Sequence, residues 1–167
     1  MIETMFAASH PNLTTSLILE DPAWGTAWGD WDAANAGITQ WFLGIKAMTK
    51  SELTTYCRES NPTWLDEDVV NWVESKLQVH PNAVGLLEQP APQWLSAIGQ
   101  ITCPILVVTG DLDKGALNTN ADVQAVAAVC QQSQTVHIDG TGHTIHHDQF
   151  DAYIVAVTSF LASIDSC

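Results

Sequence analysis

The sequence predicts an α/β fold: parallel strands with flanking helices, interrupted by a helical insertion. Three observations carry this. Short apolar runs at Leu17-Ile18-Leu19 and Ile105-Leu106-Val107-Val108 read as strands buried on both faces. Helical patterns alternate with them from Pro104 to the C-terminus, which implies right-handed crossovers and a parallel sheet. Between them lies a long segment of purely helical texture, holding six of the seven tryptophans from Trp28 to Trp94.

Each element has its own signal. Ile2, Met5 and Phe6 recur at helical spacing, and Pro11 requires that helix to stop. Ser16 to Glu20 is the first strand, ended by Asp21-Pro22. Asn35 to Met48 places Ile38, Trp41, Phe42 and Ile45 on one face. Ser51 is a candidate cap for a short helix to Ser60. Asp66-Glu67-Asp68 sets three acids in a first turn, where the helix dipole favours them. Val69, Trp72, Val73 and Leu77 form the stripe behind them, and a short helix is expected from Pro92 to Ile98. Pro104 to Thr109 is the second strand. Asn120 is expected to cap a helix with Val123, Val126 and Val129 inward. Gln134 to Ile138 is the third strand. Phe150, Tyr153, Ile154, Val157, Leu161 and Ile164 define the last helix.

Composition narrows the function classes. At 167 residues the chain is long enough for one domain, burying about 70% of its unfolded surface. Nineteen acids against five basic residues give a net charge of −14, which disfavours nucleic acid and anionic membrane surfaces as partners. No apolar run approaches the roughly 18 residues of a membrane span. The four cysteines have neither zinc-site nor disulfide-scaffold spacing, and Cys103 and Cys130 sit in or beside apolar runs. The N-terminus has no basic n-region, so a cytoplasmic location is the expectation.

The chemistry is expected at the carboxyl ends of the strands, where open parallel sheets bind ligands. Three loops reach that end: Asp21 to Trp24, Gly110 to Lys114, and Gly140 to His143. Two of them carry Asp111, Asp113 and His143. A histidine base needs an acid to fix its tautomer and stabilise its protonated form. Gly140 and Gly142 let the backbone bring the imidazole over the strand ends. His143, His146 and His147 lack an H-E-x-x-H pattern, and no metal or other cofactor is expected. His137, His10 and His80 read as structural.

The order strand, Gly110-Asp111-Leu112-Asp113, helix, strand, Gly140-Thr141-Gly142-His143, helix resembles the C-terminal half of the α/β-hydrolase fold. Leu19-Glu20-Asp21-Pro22-Ala23-Trp24 resembles the strand that feeds that family's cap, and the Trp-rich helices resemble the cap. The resemblance covers nearly the whole chain. It implies a partial α/β-hydrolase core at residues 1–23 and 101–167, with a cap or lid at 24–100 packed over one end of the sheet. It implies His143 as the catalytic histidine and Asp113 as its acid, with Asp111 as the alternative. Most tryptophans are read as cap core, while Trp24, Trp28 and Trp41 are candidates to line an apolar substrate pocket.

One part of the pattern is missing. The family's nucleophile sits on a Gly-x-Ser-x-Gly elbow, and no such sequence occurs here. Ser9, at a helix end, does not fit that role. The chain resembles the family from just after the elbow onward, as a truncated hydrolase or half of a split enzyme would. The resemblance implies hydrolysis of a small apolar ester, lactone or amide, without a cofactor, by a triad whose nucleophile lies outside this chain. The other expectation is a non-catalytic fragment or interaction module. It would pair with a complementing N-terminal piece or with itself.

Overall fold

The computed structural model describes residues 2–24, 31–86 and 93–164. The chain divides into two compact units: Met1–Ala27 with Pro92–Cys167, and Trp28–Ala91. The first holds the sheet and the second is helical among its described residues.

In the sheet unit, α1 (Ile2–Ser9) is followed by β1 (Leu17–Glu20), α5 (Trp94–Ile98), β2 (Ile105–Thr109), α6 (Asn120–Val129), β3 (Ser133–His137), α7 (Ile145–Asp148) and α8 (Phe150–Ile164). The strands lie in the order β1-β2-β3 and both pairings are parallel. All five β2 residues are buried, because helices cover both faces of this central strand. One face packs Leu17, Leu19, Ile105 and Val107 against Ala7, Ile98 and Val126. The other packs Leu106 and Val108 against Ile145 and Phe160. Each large aliphatic side chain so buried contributes about 1.5–3 kcal/mol.

The register sets up the functional end. Thr109 pairs with His137 and Glu20 with Val108, so three strands deliver their last residues at one level. The Asp21, Gly110 and Gly140 loops all leave from there.

Several local expectations shift. The apolar spacing of α1 does not mark its buried face: Thr4 and Ala7 are buried, while Ile2, Met5 and Phe6 are exposed. Small side chains let this helix sit close on the sheet, which turns the large ones outward. Thr119, not Asn120, caps α6, through a capping box with Asp122. On α6, Val126 is buried but Val129 is exposed.

The helical unit comprises α2 (Trp31–Lys46), α3 (Lys50–Ser60), α4 (Asp66–Gln78) and a 3₁₀ segment (Pro81–Leu86). Its core joins Phe42, Ile45, Leu53, Cys57, Trp64, Val69 and Val73. Thr49, not Ser51, caps α3, in a capping box with Glu52. Lys46 reaches the C-terminus of α4, donating from Nζ to the carbonyls of Lys76, Leu77 and Val79, each at 3.0 Å. A cation there offsets the negative end of the helix dipole.

Candidate active site

His143 sits in the loop between β3 and α7, and its imidazole is half exposed. Its Nδ1 donates to Oδ2 of Asp21 at 2.9 Å. Asp21 directly follows β1 and is fully buried. A buried carboxylate needs donors to offset lost hydration, and Asp21 has a full set. The Leu117 backbone N–H lies 2.8 Å from Oδ2, the Asn118 side-chain amide lies 2.7 Å from Oδ1, and His143 completes the group. Asp21 adopts φ 34°, in the left-handed region that non-glycine residues rarely occupy. Strain of this kind persists where surroundings over-determine it, and it clusters at functional sites.

The acid placed against His143 is therefore not Asp113. Asp113 lies in an exposed 3₁₀ turn, Leu112–Lys114, and no hydrogen bond joins it to His143 among the described residues. The loop geometry explains this. The Asp111 backbone N–H donates to the Thr141 carbonyl at 2.8 Å, locking the two loops together. The turn then carries Asp113 outward, and Leu117 and Asn118 return to meet Asp21. Two glycines permit the close approach. A Cβ on Gly110 would lie 2.6 Å from the Thr141 carbonyl oxygen, and one on Gly142 would strike the Lys114 carbonyl.

Asp111 does not reach His143 either. Its Oδ2 accepts from the Gly140 N–H at 2.7 Å and its Oδ1 lies 3.0 Å from His137 Nε2. The Gly140 N–H, with His137 beside it, holds the Asp111 carboxyl below its ordinary range.

A second acid–imidazole pair runs alongside the first. Glu20 Oε1 accepts from His146 Nδ1 at 2.7 Å and from its backbone N–H at 2.9 Å. Asp148 Oδ2 accepts from the Gly142 N–H at 2.8 Å. Both flanks of the His143 loop are thus pinned, one of them by the residue before the acid. His143 and His146 each spend Nδ1 on a carboxylate of the β1 end.

Two of the three proposed pocket residues fall among the described residues, one in each unit. The Trp24 ring is buried in the sheet unit, stacked on Trp94 at 4.5 Å between centroids. Pairing with Trp94 at the start of α5 makes it core rather than pocket wall. Trp41 belongs to the helical unit, where its indole N–H donates to Tyr56 Oη at 2.9 Å and Lys76 lies over its ring. Trp28 lies outside the described residues.

Sequence reasoning did not place Asp21 against His143 because the Asp-Pro pair reads as a strand terminator. The available signal was its position: the first residue past a buried strand, at the carboxyl end where ligands bind.

No protein-family profile matches the sequence, and no curated protein does. Solved structures match at the level of fold. An N-formylmaleamic acid deformylase from Pseudomonas putida S16 superposes with TM-score 0.67 and 23% identity, over 93% of this chain and 61% of that one. E-2-(acetamidomethylene)succinate hydrolase gives TM-score 0.70 and 16% identity, over 95% and 62%. A proline iminopeptidase from Mycobacterium smegmatis gives 0.63 and 17%, over 99% and 62%. The chain thus spans about three-fifths of the length of these structures. What it carries is the C-terminal portion of the α/β-hydrolase fold.

Proposed function

We propose that this chain supplies the base and acid of a hydrolase acting on a small, neutral ester, lactone or amide. His143 is the general base and then the general acid, and Asp21 orients it. The nucleophile and the oxyanion-hole donors come from residues outside this sequence. The observation that carries the reading is the 2.9 Å contact between His143 Nδ1 and the buried Asp21 carboxylate. That contact leaves Nε2, on a half-exposed ring, to take a proton from a nucleophile. The fold neighbours support it, since those named above are a deformylase, a hydrolase and a peptidase.

The test has two stages. The isolated chain should not be labelled by a fluorophosphonate probe, and stoichiometric labelling of a serine in it would refute the division of roles. Source DNA upstream of Met1, if it encodes an in-frame Gly-x-Ser-x-Gly, should restore labelling when expressed with the chain. In that longer protein His143→Ala and Asp21→Asn should each cut kcat by about 10³-fold or more, and Asp113→Asn should leave most of it. Full activity of His143→Ala would overturn the base assignment. Loss of activity in Asp113→Asn alone would overturn the choice of acid.

A second reading is favoured by exposed surface. Among the described residues β1 pairs with a strand on one side only, which leaves an edge open to pairing. Ile2, Met5 and Phe6 line an apolar groove with Gln93, Ser96 and Ala97. A non-catalytic module that associates through this side, with a complementing segment or with itself, would use both features. A compact monomer by sedimentation, with cooperative melting, would count against it.

A further inference from the structure

We propose that Asp111, His137 and Asp139 form a binding site for one divalent cation of the zinc class. The site is separate from the Asp21–His143 pair and follows from the strand register. Thr109 and His137 are paired residues at the ends of β2 and β3. Asp111 lies two residues past one, and Asp139 two past the other. The parallel pairing therefore sends two carboxylates to either side of one imidazole.

The donor atoms converge. His137 Nε2 lies 3.0 Å from Asp111 Oδ1 and 3.5 Å from Asp139 Oδ1. One ligand atom from each of the three residues lies within 4.8 Å of the others. Metal–nitrogen and metal–oxygen bonds near 2.1 Å at a tetrahedral ion require donors about 3.4 Å apart. The two imidazole–carboxylate distances bracket that value. A small inward movement of Asp139, which is 98% exposed and unencumbered, closes the set.

The surroundings hold the inner two ligands in position. His137 Nδ1 lies 3.1 Å from the hydroxyl of Thr109, a buried side chain. Without an ion, Nε2–H donates to Asp111 Oδ1; with one, Nδ1–H turns to the Thr109 oxygen and Nε2 becomes the ligand between the two carboxylates. Asp111 turns its other oxygen to the Gly140 N–H at 2.7 Å. Partners of this kind fix the tautomer and orientation of metal ligands. The local field also favours a cation. Among charged side chains of the sheet unit, Lys114 is the one basic residue against ten acids. One imidazole with two carboxylates suits zinc or cobalt better than magnesium, which takes oxygen donors and keeps its waters. Exposure on the outer side leaves room for water as a further ligand.

The experiment is a calorimetric titration of the reduced, chelator-treated chain with ZnCl₂. Long-range ¹H–¹⁵N spectra of the imidazoles and the melting temperature would be read in parallel. The expected result is one ion per chain, a shift at His137 Nε2, and a higher Tm with zinc. Asp139→Asn and His137→Asn should each weaken binding by about 10-fold or more, while His146→Gln should leave it unchanged. Asp139 is exposed, so its variant reads binding without a folding defect. The proposal is overturned by no binding below millimolar zinc, or by magnesium binding as tightly as zinc. Binding that survives both ligand variants would place the ion on thiolates or other histidines, and would overturn it too.

Discussion

The two units face the same electrostatic problem and solve it with different chemistry. Each is rich in acids, but four of the five permanent cations lie in the helical unit. There Lys46 caps α4, Lys50 pairs with Glu74, Arg58 pairs with Asp66 at 2.7 Å, and Lys76 lies over Trp41 and Trp72. These contacts join one element of the unit to another. In the sheet unit the acids at the strand ends meet imidazoles instead: Asp21 with His143, Glu20 with His146, Asp111 with His137. An imidazole changes charge near neutrality and can move a proton. The helical unit uses permanent cations to fasten structure, and the sheet unit sets imidazoles against the acids at its strand ends.

The comparison can be broken most directly at Asp21. Asp21→Ala removes the acceptor shared by the Leu117 N–H, the buried Asn118 amide and the half-exposed His143 ring. Removing one partner of such a buried network costs about 3–5 kcal/mol, seen as a fall in urea midpoint. A loss under 1 kcal/mol would show that the carboxylate is not the hub of the strand-end network. Lys46→Met should cost less, about 1–2 kcal/mol, read from the same urea midpoint. A loss as large as that of Asp21→Ala would blur the distinction between the units.

A smaller effect belongs to Asp111. Its native pKa lies below that of the unfolded chain, so its stabilising contribution is complete above about pH 4. It fades as the pH falls further through the native value. Asp111→Asn, compared with wild type in metal-free buffer, should flatten that acid limb of the stability curve. An unchanged limb would show that the Gly140 and His137 contacts do not favour the ionised form. Arg58→Ala should do least: both partners of its ion pair are largely exposed, and the expected change is under about 0.5 kcal/mol.

The sheet was legible because both strands are short apolar runs, and Leu17–Glu20 and Ile105–Thr109 fall inside the predicted spans; β2 is buried throughout, whereas β1 buries only Leu17 and Leu19. The place of His143 at the strand ends was legible for a related reason: glycines around a histidine there restrict what the loop can do. The carboxylate that it meets was not. Choosing between Asp113 and Asp21 requires the path of the chain through Leu112–Lys114 and the unusual backbone of Asp21, both set by loop-on-loop packing. The outward turn of Ile2, Met5 and Phe6 was equally hidden, because periodicity marks an apolar face without saying which neighbour covers it. Trp24 and Trp94 both read as cap residues from the texture around them, yet the two rings stack on each other in the core of the sheet unit.

The most direct test is the proton on His143 Nδ1. In long-range ¹H–¹⁵N spectra, the account predicts a proton on His143 Nδ1, shifted downfield by the Asp21 carboxylate. That signature should be lost or moved in Asp21→Asn and unchanged in Asp113→Asn. An Nε2–H tautomer in the wild-type chain, or a His143 resonance that responds to Asp113→Asn and not to Asp21→Asn, would contradict it.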